Sequence, residues 1–258
     1  LLTNDDGFDA IGLKALIDAL SPIAKITVVA PANNKSACEH SLTLDKPLRL
    51  ISIKDDFYKI DDGSPTDCIF LSLGNLFKEG FKPDLVISGI NIGANMGEDI
   101  TYSGTASAAM EAVIHKIPAI AISQVCQNRC QDVQNGWEFE LAKDTIVKLA
   151  TRILNNSFPL DERKFLNVNI PPIKPNECKG MKITKAGFRE YGTDSDRHIN
   201  PRGEEYYWIG LHPLIWKASE DQSCDFEAIK ENYVSISPIK LDMTSYDDLK
   251  NLENWLNN

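Results

Sequence analysis

The chain lacks several features that would place it at once in a familiar class of protein. No stretch approaches the roughly 20 apolar residues that a membrane-spanning helix needs, and no secretory apolar segment stands near its start. It has six cysteines but no C-x-x-C pair, and no histidine stands beside Cys126 and Cys130 to complete a zinc site. We therefore expect a cytoplasmic protein without a membrane partner.

Positive charge is also scarce. The chain has 27 Lys and Arg residues against 37 Asp and Glu residues, which gives a formal net charge of −10. An acidic protein repels the backbone of nucleic acids, so a stable nucleic-acid partner is not expected. A small anionic substrate stays compatible with this charge if a metal ion reverses its sign locally.

Familiar nucleotide and hydrolase motifs are absent as well. The chain has no G-x-G-x-x-G dinucleotide fingerprint, no Walker A sequence ending in G-K-[ST], and no G-x-S-x-G nucleophile elbow. Dinucleotide binding, P-loop chemistry and serine-esterase chemistry are therefore disfavoured. At 258 residues, the chain buries enough surface on folding to need no disulfide or zinc ion.

Strand and helix patterns alternate along the first two thirds of the chain. Leu13, Leu16 and Leu20 follow a helical period, whereas runs such as 26–30 and 85–89 are typical of buried strands. This alternation predicts an α/β fold with a mostly parallel sheet covered by helices on both faces. We expect a single domain over residues 1–258.

The texture of the sequence changes after Pro171 and Pro172, where long polar loops separate the strand patterns. We expect the core of the domain to occupy about residues 1–175 and a C-terminal extension to occupy about 176–258. The segment 181–211 carries an aromatic cluster within this extension. Because a lone hairpin of that kind is marginal in water, it predicts an arm that pairs with another copy of the chain.

Loops rich in small polar residues follow the strand patterns at 4–9, 31–41 and 89–105. The carboxyl ends of parallel strands meet at one edge of a sheet, where ligands bind in open α/β folds. Asp5 and Asp6 stand side by side in the first loop, and adjacent carboxylates repel each other unless a cation lies between them. Their oxygens suit Mg²⁺, Mn²⁺ or Ca²⁺, although an ordinary Asp-Asp-Gly surface turn is the alternative.

The third loop is the richest of the set. Gly89, Gly93 and Gly97 recur every four residues, so the backbone can fold closely around a small ligand. The turn Ser103-Gly104-Thr105 then stands directly before a helical pattern. Free N–H groups and the positive end of the helix dipole make such a turn an anion site, while plain N-capping by Ser103 or Thr105 is the compatible alternative.

The residues at this point resemble a known family, the SurE family of survival-protein 5′/3′-nucleotidases. The motifs that carry the resemblance are Asn4-Asp5-Asp6-Gly7, Ser36 with Ser41-Leu42-Thr43-Leu44, Gly63-Ser64-Pro65-Thr66-Asp67-Cys68, the run from Ser88 to Gly97, and Tyr102-Ser103-Gly104-Thr105. They occur in order from the first residue to about residue 125, and the match resumes more loosely near Asn200, Tyr207 and Tyr233.

The resemblance implies a Rossmann-like three-layer core, a divalent cation and hydrolysis of nucleoside 5′-monophosphates, with 3′-monophosphates left open. Mg²⁺ or Mn²⁺ is expected first and Ca²⁺ second, with one cation in each subunit of a homodimer or homotetramer. The implied metal ligands are Asp5, Asp6, Ser36 and Asn91. The residues implied to bind substrate and its phosphate are Asn4, Asn95, Ser103, Gly104 and Thr105. Asp5, Asp6 and Asn95 are the residues expected to act in catalysis, with Asp6 a candidate to take the proton from water.

The second loop departs from the pattern of the family. The family usually has glycine after the serine, whereas Ser36 is followed here by Ala37, Cys38, Glu39 and His40. Alanine costs of order 1 kcal/mol only if the backbone at position 37 has a positive φ. His40 lies at the expected edge of the site, and we expect it to favour binding of a dianionic phosphate.

A different class of protein also fits part of this pattern. Receiver domains place an acidic pair after their first strand, bind Mg²⁺ there and accept a phosphoryl group without being hydrolytic enzymes. They need a further aspartate at the end of a central strand, where this chain has Ser88-Gly89-Ile90-Asn91. That difference favours the phosphomonoesterase.

Overall fold

The computed structural model describes residues 1–77, 81–126, 138–210, 215–216 and 223–257. The strands within these residues are β1 (Leu2–Thr3), β2 (Val28–Pro31), β3 (Arg49–Lys54), β4 (Phe57–Asp61), β5 (Val86–Ile92), β6 (Ala119–Gln124), β7 (Lys164–Ile170), β8 (Met181–Ile183), β9 (Arg189–Glu190), β10 (Ser195–Ile199), β11 (Glu205–Ile209), β12 (Ile215–Trp216) and β13 (Val234–Lys240). The α-helices are α1 (Ile11–Leu20), α2 (Pro65–Asn75), α3 (Gly104–Ile114), α4 (Glu140–Asn155), α5 (Asp225–Lys230) and α6 (Leu249–Leu256), with 3₁₀ helices at Gly97–Tyr102, Pro175–Glu177 and Tyr246–Asp248.

The main sheet of the described residues has the strand order β3-β4-β2-β1-β5-β6-β7-β13-β8. Strands from β4 to β7 in this order are parallel to their neighbours, whereas β3 and β13 are antiparallel to β4 and β7. Strand β1 lies between β2 and β5, where the order of the chain reverses direction. Such a switch point leaves a crevice outside the carboxyl ends of the strands, and the predicted mostly parallel sheet is confirmed.

Helices cover both faces of this sheet. Leu13 and Leu16 of α1 pack with Ile146 of α4 on one face, and Ile69 of α2 packs with Val113 of α3 on the other. Helix α3 is buried from Gly104 to Val113, because its run of alanines lets it lie close to the sheet and to α2. The three-layer α/β arrangement is therefore confirmed.

Helix α2 begins at Pro65, where the local sequence supplies a cap. The Asp67 backbone N–H donates to Ser64 Oγ at 3.1 Å, and the Ser64 N–H donates to Asp67 Oδ2 at 2.8 Å. This reciprocal capping box satisfies two donors at the start of the helix, and Pro65 occupies the first helical position.

The C-terminal part of the chain adds two strands to the main sheet and also forms a separate hairpin. Strands β8 and β13 lie after residue 175, so the main sheet runs past the boundary expected there. Strands β10 and β11 form an antiparallel hairpin within the expected arm, whose last residue, 211, lies outside the described residues. The sequence did not predict β10 or α5. None of the helices in the described part of the chain combines the length and apolar composition needed to cross a lipid bilayer.

Candidate active site

The three predicted loops meet at the carboxyl ends of β1, β2 and β5. The Lys35 backbone N–H donates to Asp5 O at 2.7 Å, and the Phe8 N–H donates to Pro31 O at 2.9 Å, so the first two loops are joined directly. A backbone hydrogen bond from Ile92 to the Asp6 carboxylate joins the first loop to the third. The sheet edge therefore brings together residues that lie up to about 90 positions apart in the sequence.

Asp5 is buried and Asp6 beside it is half-buried, so the acidic pair does not form a fully exposed surface turn. Asp5 is 4% exposed, and burial raises its pKa above the ordinary value. Hydrogen bonds from Thr105 lower the pKa, but burial has the larger effect. The pKa of Asp6 is raised to about 7, mainly by burial and secondly by the nearby charge of Asp5. The hydrogen bond from the Ile92 N–H acts in the opposite direction and lowers it. A buried and a half-buried carboxylate that disfavour each other's charge would be stabilised by a cation between them.

The first turn of α3 packs directly on Asp5. Thr105 Oγ1 donates to Asp5 Oδ1 at 2.5 Å, and the Thr105 backbone also hydrogen-bonds the same carboxylate. A Cβ atom at Gly104 would lie 2.7 Å from Asp5 Cβ, so only glycine allows this approach. Ser103 Oγ accepts from the Ala106 N–H at 3.0 Å and caps the helix. Thr105 thus holds Asp5, while the Ser103-Gly104 corner stays at the positive end of the helix dipole.

Two buried side-chain oxygens in the first loop have no hydrogen-bond partner within the part of the chain that the structure describes. Among the described residues of the loop 4–9, Asn4 Oδ1 and Asp6 Oδ2 are these atoms. Asn4 Nδ2 donates to Gly7 O at 2.9 Å and closes the turn that presents the two aspartates. Buried oxygens of this kind are costly unless something binds them, and a hard cation binds carboxylate and amide oxygens.

The side chains of the other two expected ligands are each held by a local hydrogen bond. Ser36 Oγ donates to Asn34 Oδ1 at 2.6 Å, which leaves the lone pairs of the hydroxyl oxygen able to coordinate a cation. Asn91 is 9% exposed, and its Nδ2 donates to Gly93 O at 3.0 Å, so its amide oxygen is the remaining ligand atom. The described residues contain no group of three or more His, Cys, Asp or Glu side chains that could hold a metal. A cation would therefore depend on the neutral oxygens of Ser36 and Asn91 as well as on the aspartates.

Asn95 is fixed by residues that the sequence analysis did not identify. Its backbone N–H donates to Asn169 Oδ1 at 3.0 Å, and its carbonyl accepts from the side chains of Asn167 and Asn169. Its own Nδ2 donates to Ser123 Oγ at 2.7 Å. Asn167 and Asn169 alternate with the apolar residues of β7 and are buried, and this pattern was the signal that could have revealed their support of Asn95.

His40 lies against α3 and not free beside the phosphate turn. Its Nε2 lies 2.8 Å from Glu111 Oε2, and His115 Nε2 lies 3.0 Å from Glu111 Oε1. Glu111 is 5% exposed and comes seven positions after Gly104 in the same helix. His40 thus ties the second loop to α3, and its expected effect on phosphate binding stays a prediction.

Several known proteins resemble this chain over its whole length. A family model described as Survival protein SurE matches residues 1–193. A 5′-nucleotidase SurE of Aliarcobacter butzleri (strain RM4018) is 98% identical over 258 residues, which cover 100% of this chain and 98% of that protein. A 5′-nucleotidase SurE of Sulfurovum sp. (strain NBC37-1) is 59% identical over 257 residues, which cover 100% of this chain and 97% of that protein.

A solved structure agrees with the sequence matches. The crystal structure of SurE protein from Aquifex aeolicus has a TM-score of 0.82 to this chain at 41% identity, covering 100% of this chain and 98% of that one. These matches do not support a receiver-like phospho-acceptor, and the end of β5 carries Asn91 where a receiver needs an aspartate. Since both the family model and the whole-length relatives agree with the geometry at the sheet edge, the chain belongs to the SurE family of survival proteins.

Proposed function

We propose that this protein is a divalent-metal-dependent phosphomonoesterase, which hydrolyses nucleoside 5′-monophosphates to nucleosides and inorganic phosphate. Relatives that match the whole chain are named 5′-nucleotidase, which supports action on 5′-nucleotides. Metal dependence is the finer part of the proposal. It is supported by the chemistry of the side chains at the sheet edge.

The observation that carries the proposal is the contact between an acidic pair and a helix N-terminus. Asp5, held by the Thr105 hydroxyl at 2.5 Å, lies beside Asp6 and directly against Gly104 of α3. A negatively charged cluster beside a positive helix end suits a phosphate group and a cation bound together. Neither feature alone would specify phosphate chemistry.

The residues that would hold the cation are Asp5, Asp6, Ser36 and Asn91. A divalent cation at that position supplies Lewis-acid polarisation of a phosphoryl oxygen and makes water a stronger acid. Mg²⁺ and Mn²⁺ suit this set of oxygen ligands, and Ca²⁺ is the alternative.

The remaining work falls to groups of the chain itself. The Ser103-Gly104 corner at the start of α3 would bind phosphoryl oxygens, because donors at a helix N-terminus favour negative charge. The Asn95 side chain, anchored through Ser123, would donate to an oxygen whose charge grows in the transition state. Thr105 keeps Asp5 in place, and Asp6 is the candidate to accept a proton from the attacking water.

A phosphate-release panel tests the proposal. Purified protein is treated with a chelator, and release of phosphate from nucleoside 5′- and 3′-monophosphates is then measured with Mg²⁺, Mn²⁺, Ca²⁺ or no added metal. We expect activity on 5′-monophosphates that is lost on chelation and restored by at least one of the cations. Equal activity with and without metal would contradict metal dependence, and stable labelling of the protein by acetyl phosphate would favour the receiver-like alternative.

A further inference from the structure

A buried carboxylate in the C-terminal extension reaches the glycine-rich loop of the candidate active site. Asp225 is fully buried, and its Oδ2 accepts from the Gly97 backbone N–H at 2.9 Å. Its Oδ1 accepts from the N–H groups of Gly187 and Phe226, each at 2.9 Å. One side chain thus joins α5, the segment before β9 and the end of the third loop.

The backbone is packed tightly around this carboxylate. A Cβ atom at Gly97 would lie 2.7 Å from Gly187 O and 3.1 Å from the Phe226 ring, and a Cβ at Gly187 would lie 2.4 Å from that ring. Met96 and Phe226 are buried together in a small apolar cluster of their own. The third loop therefore cannot move away from the extension without losing both apolar packing and the Asp225 hydrogen bonds.

The anchored position lies between two groups that the proposed function assigns to phosphate. Gly97 is two residues after Asn95, and it begins the 3₁₀ helix Gly97–Tyr102, which is followed directly by Ser103. A shift of the Gly97 backbone would therefore displace Asn95 on one side of it and, through the 3₁₀ helix, Ser103 on the other. Loss of about 1 Å of alignment in groups that bind a transition state is expected to cost as much as about a hundredfold in rate.

Another set of contacts from the extension grips the same 3₁₀ helix. Arg189 Nη1 lies 3.0 Å from Asp99 Oδ2, and Tyr191 Oη donates to Asp99 Oδ1 at 2.6 Å. The Arg189 backbone N–H also donates to Glu98 Oε2 at 2.7 Å. These contacts hold the helix laterally, whereas Asp225 fixes its start.

From these contacts we infer that Asp225 is a positioning residue for the phosphate-binding groups, supported by the contacts of Arg189 and Tyr191 with Asp99. It touches neither substrate nor cation, and acts by fixing Gly97 and therefore the placement of Asn95 and Ser103. This role deepens the proposed function and rests on it. It also gives the C-terminal extension a part in catalysis within one subunit.

Asp225→Asn is the main test. An amide keeps the shape of the side chain, and its oxygen can still accept from Gly187 and Phe226, but its NH₂ group would face the Gly97 N–H. We expect kcat for a nucleoside 5′-monophosphate to fall about tenfold, because transition-state contacts are lost. The cation concentration for half-maximal activity should not change, since the proposed ligands lie elsewhere. That split distinguishes positioning from a general loss of structure.

Glu227→Gln is the matched control. Glu227 lies on the same helix two residues later, pairs at the surface with Lys230 at 3.6 Å, and loses the same charge on substitution. We expect wild-type kcat for this variant. Hydrogen exchange measures the positioning directly. The backbone amides of residues 95 to 103 should exchange faster in Asp225→Asn than in wild type, and at the wild-type rate in Glu227→Gln.

Tyr191→Phe keeps the inference testable if Asp225→Asn does not fold. It removes only the hydroxyl that binds Asp99, and we expect a smaller fall in kcat, with unchanged half-saturation by the cation. Wild-type kcat in a folded Asp225→Asn protein, or in Tyr191→Phe when the first variant is unfolded, would overturn the positioning role. If the wild-type protein releases no phosphate, the proposed function fails instead. Even in that case, wild-type hydrogen-exchange rates for the amides of residues 95 to 103 in folded Asp225→Asn would overturn the positioning role.

Discussion

Thr105 Oγ1 donates a 2.5 Å hydrogen bond to Asp5 Oδ1, so a residue on the first turn of α3 holds a carboxylate at the end of β1. The two residues are separated by one hundred positions in the chain, and both are buried. The bond fixes the acidic pair against the helix N-terminus. It also identifies a position at which the proposed cation site can be weakened without removing a ligand.

Thr105→Val should lower activity without abolishing it. Valine has nearly the same shape but no hydroxyl donor, and a hydrogen bond to a charged group contributes about 1.5–3 kcal/mol. We expect kcat/KM to fall about tenfold to a hundredfold, with a higher cation concentration for half-maximal activity. Titration of phosphate release with Mg²⁺ or Mn²⁺ measures both effects. Ser21→Ala, which removes an exposed hydroxyl bound to Ile17 O at the end of α1, is the control and should behave as wild type.

Asp5→Asn should nearly abolish phosphate release. An amide is a weaker ligand than a carboxylate for a hard cation, and the loss should exceed the tenfold to hundredfold that removal of a group supporting a metal ligand typically costs. Thermal unfolding without metal should occur at the same or a slightly higher temperature, because repulsion with Asp6 is relieved. Asp9→Asn, an exposed change in the same loop, is the control. Near wild-type rates in the Asp5 variant would place the site elsewhere.

Ala37→Gly should stabilise the second loop. Ala37 has a φ of +60° in a turn closed by the hydrogen bond from the Cys38 N–H to Lys35 O. Alanine destabilises the folded state by about 1 kcal/mol or more in that conformation. Replacement by glycine removes this strain, but the larger conformational entropy that glycine loses on folding cancels about half of the stabilisation. Urea unfolding should show a small increase in the free energy of unfolding, with activity retained. Ala32 lies in the same loop but has no positive φ, so Ala32→Gly should lower the free energy of unfolding.

Glu111→Gln should remove a pH-dependent part of the stability. Burial alone would raise the pKa of Glu111, but hydrogen bonds from His40 and His115 outweigh it, and the pKa is lowered. A lowered carboxyl pKa stabilises the fold above the unfolded-state value of about 4.3, and this contribution disappears as the pH falls through the folded-state value.

Unfolding by urea across the pH range measures this effect. At pH 7 we expect Glu111→Gln to be less stable than wild type by about 1.5–3 kcal/mol, and the difference should shrink below about pH 4. Glu140→Gln, an exposed substitution, should stay within about 0.5 kcal/mol of wild type throughout. A difference for Glu111→Gln that persists unchanged in acid would show that its charge is not the cause.

The hairpin of β10 and β11 should mediate assembly of the protein into a dimer or tetramer. Trp208 is 67% exposed and Ile209 is 83% exposed on this hairpin, which is a large apolar surface for an isolated pair of strands. Light scattering should show an oligomer for the wild type and a smaller species for Trp208→Lys combined with Ile209→Lys. Ile23→Lys, at another exposed apolar position, is the control. A strictly monomeric wild-type protein would contradict this prediction.

Local sequence predicted the elements that depend on near neighbours. The helical period of Leu13, Leu16 and Leu20 matches the buried face of α1, and Ser64 and Asp67 cap α2 as a pair three residues apart. The hairpin strand β10 was missed because four of its five residues, Ser195–His198, are polar or charged, so they lack the aromatic and β-branched side chains typical of strands. Its partner β11 is equally exposed but carries Tyr206, Tyr207 and Trp208. Helix α5 was missed because six residues are too few to establish a helical period.

What the sequence determined by itself was the alternation of strands and helices, together with the placement of Asp5, Asp6 and Ser103 at element ends. Those features follow from periodicity and capping, which involve atoms only a few residues apart. The tertiary structure alone decided that Asn167 and Asn169 support Asn95, that Glu111 binds His40, and that Asp225 fixes Gly97. These partners are about 70 to 130 residues apart, and they meet because the order of strands in the sheet, which no local pattern specifies, sets which loops are neighbours.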